Sequence, residues 1–541
     1  MIRSKIQLVV GFGVGLMVMG CSSSSLITAP PIAYSNTSPK EAELTDPESR
    51  HWGHLDLQKD TIPGMSVDRA YAELLKKKKG EEVIVAVIDS GIDLDHEDIK
   101  DVLWTNQDEK PGDGIDNDGN GYIDDIHGYN FLGDSYNEQM EMARILRLKI
   151  GDEAYQSAAR TKLNEMLPEA RAALPQLKQI EALVTLADEN IKSALGKEYY
   201  SLADLQRYQP KNMQEERLIG MLSQVISTGQ EIPEAIKDLQ DGIKYYETLV
   251  NYHLNVDFDG RTPVGDDPYD YSDQDYGNGD PNIKDPDESH GSHVAGIIAA
   301  TRKNKKGVDG VSSNVRIMSI RAVPNGDEYD KDIALAIRYA ADNGAKVINA
   351  SFGKEFSPNS EWVYDALDYA ASKDVLFVHA AGNDGLDLDS PENANFPNDK
   401  PNGKLGEFED NYITVGALTP LYGPEMIAVF SNYGKENVDI FAPGDEIYST
   451  MPNDQYEFQG GTSMAAPAVA GLAAMIRSYF PNLSAAQVKQ VIMESGISPD
   501  INVNVGGEEK SFSEISKSGK IANLYNALIL ASEVAKGRVS L

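Results

Sequence analysis

Three short stretches of the 541-residue sequence each set a reactive side chain among glycines and small residues: Asp89 in "VIDSGID", His290 in "SHGSHVAGIIAA" and Ser463 in "GTSMAAPAVAGLAA". Acyl transfer by a serine needs these three types: a nucleophile, a base to take its proton, and a carboxylate to orient and stabilise the imidazolium. A second histidine, His293, makes a His-x-x-His pair that raises zinc. No glutamate follows His290 and the chain has one cysteine, so the donor set for that metal is missing. A fourth stretch, "DGIDNDGNGYIDD" from Asp113 to Asp125, groups five aspartates that repel one another unless a cation, a ring of donors or water compensates them. Measured against a calcium loop, Asp116, Asp118 and Asn120 take the first three ligand positions, Tyr122 the backbone-carbonyl position and Asp124 the ninth. The twelfth position is His127, where a bidentate glutamate belongs, so this is not an EF-hand. Asp125, or a second acidic loop from Asp257 to Glu288, is left to close the site. Structural calcium is the expected cofactor, weighed against a solvated acidic turn; no organic cofactor is expected.

The elements that must carry these residues follow from hydrophobic patterning. Asp89 closes "VIVAVIDSG", a continuous apolar run of the kind a strand buried on both faces needs, and similar runs recur in "VRIMSI", "KVINAS", "VLFVHAAGN", "YITVGAL" and "VDIFAPG". Helical patterns over Lys331–Asn343, Glu361–Ser372 and Ser463–Tyr479 alternate with them, which predicts an α/β fold: a doubly wound, mostly parallel sheet in three layers, with ligands at the C-terminal ends of its strands. From Asn137 to Leu254 the alternation stops, and a Glu-, Ala-, Leu-, Lys- and Gln-rich region predicts an all-helical insertion punctuated near Pro168, Pro175, Pro210 and Pro233. Val67–Lys79 reads as one helix whose four terminal lysines complement its dipole. Gly291 and Gly461 are expected to permit close backbone approach, and Pro467 to sit in the first turn of its helix.

Together with "HAAGND" and "NYGKENVDIFAPG", the three motifs, in the order Asp, His, Ser, closely resemble the subtilisin-like serine proteases over roughly residues 66–130 and 257–541. The resemblance implies peptide-bond hydrolysis through an acyl-enzyme, with Asp89 as orienting carboxylate, His290 as general base and acid, and Ser463 as nucleophile. It implies Asn383 as an oxyanion-hole donor beside the Ser463 N–H, and His293 as a structural donor. It also implies that Ser351, Phe352 and Gly353 form an edge that binds extended protein or peptide substrates by strand addition. The insertion, lying between the Asp and His motifs, is expected beside the cleft as a lid or docking arm. Only a tether and one helix precede Asp89, where many members of the family carry a prodomain.

Asp and Glu number 85 against 49 Lys and Arg, a formal charge of -36, which disfavours nucleic acid and anionic membrane surfaces as ligands. The N-terminus "MIRSKIQLVVGFGVGLMVMGCSSSS" has the form of an export signal, and "VMGC" resembles a bacterial lipobox in which Cys21 is lipidated, with Met19 where a smaller residue is usual. Ser22 is consistent, by the same resemblance, with an outer-membrane destination. The expected organisation is a signal peptide over 1–20, a flexible tether over 21–55, the first part of the catalytic domain over 56–134, the helical insertion over 135–254 and the remainder of the catalytic domain over 255–541. Two readings result: a lipid-anchored, exported serine endopeptidase, or a catalytically silent lipoprotein of the same fold that acts as a binding scaffold.

Overall fold

The computed structural model describes residues 27–32, 37–40, 42–76, 78–400, 407 and 410–541. Its centre is a seven-stranded sheet built from β1 (Val83–Asp89), β2 (Gly128–Asn130), β3 (Val315–Arg321), β4 (Val347–Ala350), β5 (Leu376–Ala380), β6 (Tyr412–Leu418) and β7 (Ile440–Pro443). The strand order is β2-β3-β1-β4-β5-β6-β7, and every pairing is parallel. Each apolar run expected to be a strand is one. The two-residue period of a strand explains their lack of polar alternation: Val83, Val85 and Val87 enter one core cluster, while Ala86 and Ile88 enter another on the opposite face.

Three short helices come first, α1 (Asp46–Ser49), α2 (Leu57–Asp60) and α3 (Val67–Arg69), the last continuing as a single π turn over Ala70–Leu74. The helix expected to reach Lys79 therefore stops ahead of the lysines, of which Lys76, Lys78 and Lys79 lie in the connection to β1. The segment expected to be a solvated tether is also different over its described part. Ile27 and Trp52 are buried, the Ile27 N–H is bonded to Ser532 Oγ at 3.1 Å, and the Trp52 indole N–H reaches the carbonyl of Glu446 at 3.0 Å. Isolated apolar residues without periodicity gave no sign of this, since each fills a gap made by distant parts of the chain. Cys21 and the signal segment lie outside the described residues.

The insertion comprises α4 (Glu141–Leu148), α5 (Glu153–Leu195), α6 (Leu202–Arg207), α7 (Met213–Ser227) and α8 (Ile232–Thr248). Pro210 falls between helices and Pro233 at the start of α8, as expected. Pro168 and Pro175 do not break the chain: both lie inside α5, a single helix of 43 residues. They stand two turns apart on one solvent-facing side, so the carbonyls they deprive of a donor, those of Asn164 and Arg171, face water. One apolar cluster joins Met142, Ile145, Ala159 and Leu163 to Phe356 of the catalytic body; a second, farther out, holds Val184, Ile191, Leu205 and Leu222 together. At the base, Glu141 bridges Arg144 and Lys354, all three buried, and Lys354 also pairs with Asp330.

The remaining helices flank the sheet. The buried residues of α9 (His290–Ala299) share the core of one face with those of α12 (Thr462–Tyr479), α13 (Ala485–Ser495) and α14 (Leu524–Val534); those of α10 (Asp330–Asp342) and α11 (Ser360–Ser372) cover the other. The result is a three-layer α/β fold. No helix among the described residues is long and apolar enough to cross a membrane.

Candidate active site

Parallel strands end on the same side, so β1, β4 and β5, adjacent in the sheet, bring Asp89, Ser351 and the loop bearing Asn383 to one rim. Asp89 is buried as the last residue of β1, and its Oδ1 accepts from the Ser90 N–H at 2.8 Å and meets His290 Nδ1 at 2.8 Å. His290 opens α9 and is brought this close by a pair of glycines: a Cβ on Gly291 would lie 2.2 Å from the Gly91 carbonyl oxygen, so Gly291 has no substitute. Gly461 is different, since a Cβ there would meet nothing closer than 3.5 Å. Burial works to lower the His290 pKa, but the Asp89 charge and hydrogen bond outweigh it and hold the imidazole above its ordinary 6.5. His293 is the opposite case: burial drives it down to about 3, and its Nε2 is shared between the carbonyls of Ile447 and Glu457 at 3.1 and 3.2 Å. It is a neutral packing donor, as expected.

Ser463 is the second residue of α12, so its N–H is one of the four that a helix start leaves without an internal acceptor. Asn383 accepts from the Thr462 N–H and hydroxyl, both at 2.9 Å, through Oδ1. Its carbonyl end is thereby fixed and its Nδ2 left to donate elsewhere. Pro467 is the sixth residue of α12, not a member of the first turn. Lacking an N–H, it withholds the bond that the Ser463 carbonyl would receive from four residues on. That carbonyl is capped instead by the Ser351 hydroxyl at 2.9 Å, and Ser351 Oγ in turn accepts from Asn349 Nδ2 at 2.9 Å. The Ser463 hydroxyl donates to the Ser351 carbonyl at 3.1 Å, and no hydrogen bond joins it to His290 among the described residues.

Ser351, Phe352 and Gly353 leave the sheet directly after β4, and Lys354 pairs antiparallel with Phe396. His379, inside β5, donates through Nε2 to the Phe352 carbonyl at 2.7 Å, with burial driving its pKa down to about 4. Sequence reasoning passed over His379 because it sits within an apolar strand; a histidine in a buried run is itself the signal that some carbonyl needs a donor.

The acidic loop assembles differently from the expected register. Oxygens of Glu109, Asp118 and Asp125 lie within 4.8 Å of one another, so of the three expected carboxylate ligands, Asp116, Asp118 and Asp124, only Asp118 is in the cluster. Asp116 accepts from the backbone N–H groups of Gly119, Asn120 and Gly121, and Asp124 from those of Asp113 and Gly114. The Tyr122 ring packs edge-on against Tyr129 and Tyr339, and Asn120 donates to Asp118 and Asp125. Burial pushes Asp125 up to about 6, partly offset by donors from Tyr339, Asn120 and Asn106. Three converging carboxylates, two of them buried, are a donor set that fits a hard divalent cation. A second grouping, His51, His54 and Asp68, already has a cation: the Arg302 guanidinium bonds both Asp68 and His54 Nδ1.

The chain was also compared with known proteins. The description "Subtilase family" matches residues 80–514. A thermophilic serine proteinase of Bacillus sp. (strain AK1) is 40% identical over 241 residues, 44% of this chain and 53% of that protein. A cell wall-associated protease of Bacillus subtilis (strain 168) is 33% identical over 42% of this chain and 23% of its own length, and thermitase of Thermoactinomyces vulgaris 37% identical over 35% and 61%. The match thus spans about half the length of the first of these relatives. A solved structure of proteases from Pseudoalteromonas arctica PAMC 21717 covers 90% of this chain and 98% of its own at 19% identity, with a TM-score of 0.46.

Proposed function

The chain belongs to the subtilase family, and on that premise we propose that it is a serine endopeptidase acting on protein or peptide substrates. The observation that carries the reading is the Asp89–His290 hydrogen bond on a cavity shared with Ser351, whose carbonyl accepts from a serine hydroxyl at a helix start, with Asn383 held by its carbonyl end. The Ser463 hydroxyl leaves the Ser351 carbonyl, where a substrate N–H takes its place, and passes its proton to His290 Nε2 as it attacks the scissile carbonyl. Asp89 keeps Nδ1 protonated and stabilises the imidazolium. The developing oxyanion lies between the Ser463 N–H and Asn383 Nδ2, at the positive end of the α12 dipole. His290 then protonates the leaving amine, and a water it deprotonates releases the acyl group from Ser463. Phe352 and Gly353 hold the substrate as an added strand.

A fluorophosphonate probe tests the reading: the purified protein is expected to label stoichiometrically and Ser463→Ala not at all. Equal labelling of the two, or none, rejects it.

Two finer points belong to the same proposal. Glu109, Asp118 and Asp125 hold a structural calcium ion that cancels their mutual repulsion. The protein is exported and held by lipid on Cys21 in the outer membrane; the sequence pattern supports this, and a Cys21→Ala variant is expected to leave the membrane fraction. Retention there to the wild-type extent defeats it.

A further inference from the structure

A cavity of about 300 Å³ opens between His290 and the Ser351–Gly353 edge. Tyr136, Asp287, Glu288 and Glu328 line it together with Asp89, and no lysine or arginine does. The cations nearby stand behind the walls. Arg321, buried at the end of β3, pairs with Glu288. Lys354 Nζ takes the Glu328 backbone carbonyl at 2.8 Å, and burial pushes the Glu328 carboxyl up to about 8. Asp287, at the rim, has one ion-pair partner among the described residues: Lys244, which α8 of the insertion reaches across to it. Their side chains are 46% and 58% exposed respectively, so the pair is held weakly and exchanges readily. Burial, then Asp287, Asp285 and Glu288, holds the Tyr136 phenol up to about 12, and Tyr136, Asp287 and Glu288 share the cavity wall.

We propose that this cavity selects a lysine or arginine side chain of the substrate on the N-terminal side of the scissile bond, with Asp287 as its partner and Lys244 as the internal cation it displaces. The inference rests on the peptidase reading above and adds a substrate class to it. The Ser351–Gly353 edge holds the substrate backbone, so the incoming cation arrives at high effective concentration, whereas Lys244 must be positioned by a long, half-exposed side chain.

The test uses peptides with one chromogenic leaving group that differ, at each of the four positions before the scissile bond in turn, only in lysine or its uncharged analogue norleucine. At one of these positions kcat/KM is expected to favour lysine by about three- to tenfold at low ionic strength, with the ratio falling toward one in 0.5 M salt, as a rim charge requires. Asp287→Asn is expected to remove most of the preference, and Lys244→Ala to lower KM for the lysine peptide selectively. A protein that labels with fluorophosphonate and cleaves, yet shows a ratio near one at every position or the same ratio in Asp287→Asn, overturns this inference alone. Failure to label or cleave overturns the peptidase reading and this inference with it.

Discussion

Ser351→Ala is the sharpest probe of how the nucleophile is held. The Ser351 hydroxyl caps the Ser463 carbonyl, which Pro467 leaves without a helical donor, and accepts from the buried Asn349 amide. Removing it orphans one acceptor and one donor. Each unsatisfied group costs about 1–3 kcal/mol, so the variant, with two of them, is expected to lose about 2–6 kcal/mol of stability. Pro467→Ala supplies an N–H four residues after Ser463 and restores the missing helical bond. In that background Ser351→Ala then orphans only the Asn349 amide, and its cost is expected to fall by one group's share, about 1–3 kcal/mol. The cycle is best measured by urea unfolding with Ser463→Ala throughout, which prevents self-digestion and leaves the residue 463 carbonyl in place. Equal costs of Ser351→Ala in the two backgrounds would refute the reasoning, because the carbonyl would then not be the group that Ser351 satisfies.

Asn383→Ala is expected to lower kcat by about 100- to 1000-fold with little change in KM, the loss known for one such donor in a subtilisin; an unchanged kcat removes Asn383 from the oxyanion site. The base must be neutral to work, and Asp89 holds His290 above 6.5 against burial. The acid limb of kcat/KM is therefore expected to have its midpoint above 6.5, and in Asp89→Asn, where burial acts alone, below it, with activity down about 10⁴-fold. A midpoint that stays in place in Asp89→Asn contradicts that assignment. Thermal midpoints in excess calcium and in excess chelator are expected to differ in the wild type and to converge in Asp118→Asn with Asp125→Asn; no difference in the wild type dismisses the ion.

The parts legible in sequence were those where one local pattern leaves one structural solution. A run such as "VIVAVID" has no polar side to show solvent, so it is a strand covered on both faces, and Asp89 at its end is placed by the same fact. Small residues around His290 and Ser463 likewise announced close packing at reactive groups. What escaped depended on contacts remote in sequence. Pro168 and Pro175 argue for breaks until their common solvent-facing side is known. Glu109 joins Asp118 and Asp125 although it lies before the acidic stretch, and the fixed spacing of a calcium loop could not anticipate it. His379 and the Ser351 cap answer needs of carbonyls that only the assembled rim creates.

The contact between the two ends of the chain sets a short leash. Ile27 and Ile32 are stitched to Ser532 and Asn526 of α14, and Ile27 stands six positions after Cys21 (27 − 21). Six extended residues reach at most about 22 Å. On the proposal that lipid sits on Cys21, the α14 side of the folded body is the one held near the bilayer. On that same proposal, the substrates within reach are those presented at the membrane surface.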